Sequence, residues 1–144
     1  TINKWYKKNE KKIPKIGILG LNPHNAELRK NSEENKCIIP SIKRLRKLKI
    51  NIRGPLVSDS LFIEQYKNYD VVVGMYHDQV LIPIKALCKY EAINVTLGLK
   101  YLRVSPDHGV ASNIINRNKA NPKSLINCIK FLNKFEKWNM QKNH

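Results

Sequence analysis

Asp70-Val71-Val72-Val73-Gly74-Met75-Tyr76-His77-Asp78-Gln79 is the stretch from which the fold of this chain is read. Three adjacent valines behind a polar Asn68-Tyr69-Asp70 step predict a short strand buried on both faces, the kind found in parallel sheets. In open α/β sheets ligands gather beyond the carboxyl ends of strands, so His77-Asp78-Gln79 would sit at the mouth of a crevice. A plainer reading of His77, a strand-end imidazole bonded to a nearby carbonyl, stays open until a second stretch supports the first.

That second stretch lies upstream. Lys15-Ile16-Gly17-Ile18-Leu19-Gly20-Leu21 reads as another buried strand, and it delivers Asn22-Pro23-His24-Asn25-Ala26-Glu27 at its end. Two parallel strands, each discharging a histidine at its carboxyl end, would bring both imidazoles to one rim. Pro23 stiffens the turn. Gly17 and Gly20 do not form a G-x-G-x-x-G, so a dinucleotide phosphate loop is not indicated there.

Totals bound the remaining classes. At 144 residues one domain is expected; 42% hydrophobic residues with six glycines exclude collagen-like chains, and no apolar run reaches the ~20 residues of a membrane span. No signal-peptide pattern opens the sequence. Three scattered cysteines, Cys37, Cys88 and Cys128, read as reduced thiols of a cytoplasmic protein. The chain opens at Thr1 in what reads as the tail of a helix already under way, which suggests a piece of a longer protein. A net charge of +16 favours polyanions. The cations are spread along the whole length, mostly as Lys, without the interleaved aromatics of an RNA-binding stripe, so nucleic acid is not the expected partner.

Asn31 and Glu34 predict a capping box before a helix with apolar Ile38, Ile42, Leu45 and Leu48, Pro40 lying in its early turns. Ile50 to Arg53 reads as a strand, Gly54-Pro55-Leu56 as a turn, and Leu61 to Lys67 as a helix. Asp59 is read as its cap or, alternatively, as a group projecting toward the histidines. A helix from Asp78 to Lys89 interrupted by Pro83 carries Lys85. Strands are expected at Ala92–Leu99 and Tyr101–Val104, holding Asn94 and Arg103, then a helix from Val110 to Asn116. The last helix starts at Asn121-Pro122, with Leu125, Cys128, Ile129, Leu132, Phe135 and Trp138 as its buried stripe.

Five linked motifs carry a family resemblance: Leu19-Gly20-Leu21-Asn22-Pro23-His24; Arg53-Gly54-Pro55-Leu56 with Asp59-Ser60-Leu61-Phe62; Met75-Tyr76-His77-Asp78-Gln79; Asn94-Val95-Thr96-Leu97-Gly98-Leu99 with Arg103; and Asp107-His108-Gly109. Together they closely resemble the carboxyl-terminal part of 4-hydroxythreonine-4-phosphate dehydrogenase, from about Ile16 through Ala120. The resemblance implies an α/β class with α/β/α layers, similar to the isopropylmalate dehydrogenase-like fold and here partial, residues 1–144 being the carboxyl-terminal part of a two-domain, homodimeric enzyme with a shared active site. It implies NAD- or NADP-dependent oxidation of 4-phosphooxy-L-threonine to 2-amino-3-oxo-4-phosphooxybutanoate, which decarboxylates to 3-amino-2-oxopropyl phosphate on the route to pyridoxal 5'-phosphate. By the same resemblance His24 and His77 match two of three ligands of a divalent metal (Zn, Mg or Co). Lys85, Asn94, Arg103 and Asp59 match substrate-binding positions, and Asp107, His108 and Gly109 a nucleotide-binding loop.

Departures temper the resemblance. The family's first metal histidine and an upstream His-Thr pair would precede Thr1, His24-Asn25-Ala26-Glu27 stands where Ala-Gly-Glu usually follows the histidine, and the segment before Asp59 is one residue short. The isolated chain is therefore expected to be catalytically silent. A basic nucleic-acid-binding domain and an inactive remnant are the alternatives.

Overall fold

A computed structural model describes residues 1–109 and 111–140, with no account of the side chains of 136–140. The chain divides into two compact units, Thr1–Pro83 and Ile84–His144. The first holds α1 (Ile2–Asn9), β1 (Ile16–Leu19), α2 (Ile39–Lys47), β2 (Ile52–Leu56), α3 (Ser58–Leu61) and β3 (Val71–Val73). It also contains the start of α4 (His77–Cys88). The second holds the rest of α4, β4 (Ile93–Thr96), β5 (Arg103–Pro106) and α5 (Lys123–Met140).

In the first unit the strands form a parallel sheet in the order β2-β1-β3. Ile16, Gly17 and Ile18 face Val71, Val72 and Val73 across one ladder, so both strands end at the same edge. The expected parallel pairing is present, with one correction. β1 is the central, buried strand, whereas the valines of β3 are only half-buried because nothing pairs with their other side among the described residues. Ile16, Ile38, Ile42 and Ile52 form the core against which Ile2, Leu45, Ile50 and Val71 pack. Burial of these aliphatic side chains, each contributing roughly 1.5–3 kcal/mol, seats α2 on the sheet. At the opposite edge, Asp70 clasps the chain before β1 by accepting from Lys12 Nζ at 2.6 Å and the Lys15 N–H at 2.8 Å. Those two bonds hold its carboxyl below the usual carboxylate range.

Several expectations are corrected. Gly54-Pro55-Leu56 is not a turn but the second half of β2, which starts at Ile52; a proline is tolerated because β2 is an edge strand. The helix expected over Leu61–Lys67 is instead the short α3, followed by a 3-10 turn at Gln65–Asn68. Asn31 and Glu34 make no capping box. The helix opens as a π-helical turn over Glu34–Ile38 that runs into α2, with Pro40 in the first turn of α2. Glu34 is fully buried and accepts from the Leu21 and Asn22 N–H groups at 2.9 and 2.8 Å and from Asn22 Nδ2 at 3.1 Å. Burial alone would push its carboxyl up; the donors from Asn22 and Leu21 outweigh that and bring it down to about 2.

In the second unit β4 and β5 form an antiparallel ribbon covered by α5. Ser124, on the first turn of α5, donates to the Ala92 carbonyl at 2.6 Å and accepts from the Asp107 N–H at 2.9 Å. Asn121 Oδ1 accepts from the Lys123 N–H at 3.0 Å, as expected of a residue that opens a helix. Of the predicted stripe, Cys128 is buried and Leu132 and Phe135 half-buried, but Leu125 and Ile129 are exposed; Trp138 lies outside the described side chains. The helix expected from Val110 is only a 3-10 turn at Ser112–Ile114, with Val110 itself outside the described residues. Cys37 and Cys88 are exposed free thiols. Among the described residues no helix is long and apolar enough to cross a membrane.

Gly54, at φ +146°, lies where an added Cβ would sit 2.4 Å from the Ile18 carbonyl oxygen of the neighbouring strand. Gly54→Ala is expected to destabilise the first unit by about 3 kcal/mol, read as a lower urea midpoint at unchanged slope. Glu34 titrates lower in the folded chain, about 2, than its ordinary 4.5, so its stabilisation is full above pH 4.5 and is lost as pH falls toward 2. Glu34→Gln should therefore be less stable than the parent near neutral pH, the gap narrowing through that window in urea titrations at stepped pH.

Candidate functional site

β1 ends at Leu19, and the next residues are held from three directions. The Gly20 N–H donates to the Leu56 carbonyl of β2 at 3.0 Å, Glu34 takes the next two N–H groups, and the Gly20 carbonyl accepts from Gln79 Nε2 at 2.7 Å. A side chain at position 20 would displace Asn25, because an added Cβ would fall 2.0 Å from Asn25 Oδ1. Asn25 is buried and donates to the Pro55 carbonyl at 3.2 Å. Around it the backbone from His24 to Leu28 is left-handed, with φ between 46° and 57°. Such a run costs roughly 1–2 kcal/mol per non-glycine residue. Its anchors are Asn25 and the side chain of Asn35, which donates to the Leu28 and Arg29 carbonyls.

This loop presents His24 to solvent, with Nε2 lying 3.4 Å from Asp59 Oδ2. Asp59 sits in the first turn of α3, where Val57 is the cap; its Oδ1 accepts from the Ser60 N–H at 2.6 Å. Of the two sequence readings of Asp59, projection toward a histidine is the one observed. A cleft of about 170 Å³ opens here, lined by Asn22, Pro23, His24, Ser58, Asp59, Tyr76 and Gln79 among others.

β3 delivers its own exit to the same edge. His77 is the first residue of α4, exposed, with Nδ1 2.7 Å from Asp78 Oδ1. A carboxylate on one ring nitrogen fixes the imidazole's orientation and leaves the other nitrogen to act as a ligand. Tyr76 and Gln79 line the cleft; His77 is not among the lining residues. Gln79 uses both ends of its amide, accepting from the Met75 N–H at 2.8 Å and donating to the Gly20 carbonyl. Among the described residues no group of three or more His, Cys, Asp or Glu side chains is placed to hold a metal ion.

The other predicted positions belong to the second unit. Register sets Asn94 opposite Ser105 and Thr96 opposite Arg103, so these polar side chains share one face of the ribbon. Arg103 Nη1 donates to Thr96 Oγ1 at 2.9 Å. Lys85 on α4 pairs with Asp107 at 3.1 Å, which joins a predicted anion-binding lysine to the loop predicted to hold nucleotide. Next along that loop, His108 Nδ1 lies 3.1 Å from the Gly109 carbonyl, and Gly109 has open space around its Cα.

Two residues that position the site were not among the predicted site residues. Glu34 matched a capping pattern, and its true partners lie 12 and 13 positions upstream. Gln79 was visible beside His77, but its bond to Gly20 spans 59 positions and no local signal reports it.

Comparison with known proteins gives the same direction. The chain is 48% identical over 117 residues to the 4-hydroxythreonine-4-phosphate dehydrogenase of Sulfurihydrogenibium sp. (strain YO3AOP1), covering 81% of this chain and 36% of that protein. It is 42% identical over 132 residues to the protein of the same name from Aquifex aeolicus, covering 91% and 41%. The crystal structure of 4-hydroxythreonine-4-phosphate dehydrogenase from Klebsiella pneumoniae matches with a TM-score of 0.74 at 32% identity, over 90% of this chain and 40% of that one. The α/β class is thus shared with solved dehydrogenases, and the chain spans about two-fifths of the length of the relatives it matches. The family model that matches residues 1–132 is that of the pyridoxal phosphate biosynthetic protein PdxA, and this chain belongs to that family.

Proposed function

We propose that this chain is the carboxyl-terminal part of a 4-hydroxythreonine-4-phosphate dehydrogenase, a cytoplasmic enzyme completed by an amino-terminal half and a second copy. The observation that carries the reading is the placement of two carboxylate-paired histidines, His24 with Asp59 and His77 with Asp78, on loops leaving adjacent parallel strands at one sheet edge. The reaction would oxidise the hydroxyl-bearing carbon of 4-phosphooxy-L-threonine. Hydride passes to NAD or NADP, the hydroxyl proton to a base, and the resulting β-keto acid loses carbon dioxide to leave 3-amino-2-oxopropyl phosphate.

The donor chemistry of His24 and His77 suits a divalent cation, and among the described residues they form no assembled group of three or more ligands. Two exposed imidazoles, each with a carboxylate beside it, are suitable ligands for Zn, Mg or Co, and further ligands would come from outside the described residues. When bound, such a cation supplies Lewis acidity that eases loss of the substrate's hydroxyl proton. The chain's own groups do the rest. Asp59 Oδ2 lies 3.4 Å from His24 Nε2 and sets a negative charge beside that imidazole, while the Ser60 N–H steadies its other oxygen. Arg103 can meet a phosphate or carboxylate through parallel bonds; Lys85 offers a point charge shared with Asp107, and Asn94 a neutral donor and acceptor on the same face as Arg103. Asp107, His108 and Gly109 are the proposed nucleotide contacts.

Two outcomes test this reading. Mixed with the phosphorylated substrate, NAD or NADP and a divalent cation, the isolated chain should give no reduced nicotinamide by absorbance, since two imidazoles hold a metal weakly; turnover at ordinary enzyme rates would refute the partial-site assignment. His77→Ala should weaken Zn²⁺ uptake by about tenfold or more in a dye-competition titration. Retention on heparin, which reads only overall charge, should not change.

A further inference from the structure

Five of the seven residues from Lys43 to Lys49 are cations, and the fold sorts them. Ile38, Ile42 and Leu45 take the inward side of α2 and its preceding turn, in the cluster with Ile16 and Ile52, which leaves Lys43, Arg44 and Lys47 exposed on the side away from the core. Lys47 is four positions beyond Lys43 and three beyond Arg44, the spacings that set helix side chains beside one another, about 5–6 Å apart at Cβ. Arg46 braces the flank by donating from Nε to the Ile52 carbonyl at 3.1 Å. Elsewhere in the first unit cations meet acids, Lys12 with Asp70 and Arg29 with Glu27. Among the described residues no ion pair includes Lys43, Arg44 or Lys47. Like charges at these spacings oppose a helix, and the helix dipole offsets this only over the last turn, which holds Arg44 and Lys47 but not Lys43.

The chemistry of the face selects among polyanions. An interfacial helix must bury an apolar side in lipid, and α2 has already committed that side to the core. A single-stranded nucleic acid is held by stacking its bases on aromatic rings, and none stands between Lys36 and Lys49. Three fixed cations without aromatics suit a rigid row of phosphates, as on the outside of a duplex, which carries one negative charge per about 1.7 Å of its axis. We propose that the outward face of α2, with Lys43, Arg44 and Lys47, is a docking surface for the phosphate backbone of duplex DNA. Contacts to phosphates alone read no base sequence. None of the three residues lines the cleft at His24, so this surface is independent of the dehydrogenase reading. The scatter of cations along the sequence hid it, because only the packing of Ile38, Ile42 and Leu45 shows which of them share a side.

The test is fluorescence anisotropy of a labelled mixed-sequence DNA duplex titrated with the 144-residue chain at stepped salt. Lys43→Gln/Arg44→Gln/Lys47→Gln should bind about tenfold or more weakly than the parent at one fixed salt concentration, with the slope of log K against log salt shallower by about 2–3. Lys89→Gln/Lys100→Gln/Lys119→Gln removes the same charge from exposed positions in the second unit, and should change affinity by less than about threefold with the slope kept within about 1. Equal losses from the two variants overturn the proposal, since overall charge then accounts for binding. Should the first variant fail to fold, NMR of the isotope-labelled parent chain carries the test: amides from Lys43 to Lys49 should shift most on adding duplex. Shifts spread evenly over both units, or none, overturn it. Phosphatidylserine vesicles bound at least as tightly as the duplex, with the same dependence on the three cations, overturn the choice of DNA.

Discussion

The parallel ladder that sets Ile16 against Val71 and Ile18 against Val73 is the constraint from which the rest of the site follows. Parallel pairing makes two strands stop at the same edge, so whatever follows each strand must be accommodated side by side. Had these strands been antiparallel, His24 and His77 would emerge at opposite ends of the sheet. The return from β1 to β2 is supplied by the π-helical turn and α2, whose Ile38 and Ile42 bury against Ile16 and Ile52.

Local backbone geometry opposes that arrangement at one place. Five successive non-glycine residues, His24 to Leu28, hold left-handed φ angles, a conformation each would avoid in isolation. Asparagine is among the side chains that tolerate it best, and Asn25 additionally buries its amide against Gly20 and the Pro55 carbonyl. Glu34 adds a fully buried charge whose hydrogen bonds come from the two residues entering the loop. A carboxylate so placed would be costly without donors; with them it fixes the backbone just before His24. Strain and buried charge together mark this loop as held for a purpose other than stability.

How much of this was legible in the sequence depended on the range of the interaction concerned. The strands at Ile16 and Val71 were readable because a run of β-branched and aliphatic residues is a local signal. Gly54-Pro55 misled because the pair is a turn signal in isolation, and only its place at a sheet edge makes it compatible with a strand. Glu34 misled for a similar reason: the spacing from Asn31 matches a capping box, while the donors that claim it belong to another element. Leu125 and Ile129 kept the helical spacing of a buried stripe, but α5 buries the face that carries Ser124 and Cys128 instead.

The second unit shows how Lys85, proposed to meet an anionic ligand, is kept in place by the chain itself. Lys85 has a flexible stem and a strongly hydrated head, and without a partner it would sample many rotamers. Asp107 holds it at 3.1 Å, and Asp107 is itself fixed through its N–H to the buried Ser124 hydroxyl, which is anchored on the Ala92 carbonyl. The ion pair is partly exposed, so its own contribution to stability is small, and an incoming phosphate can compete for the ammonium without stranding a buried charge. Arg103, braced by Thr96 across the ribbon, meets the same requirement with a neutral partner. A hydroxyl and a half-exposed carboxylate are weak enough to yield to a doubly charged anion and strong enough to orient the cations that would receive it.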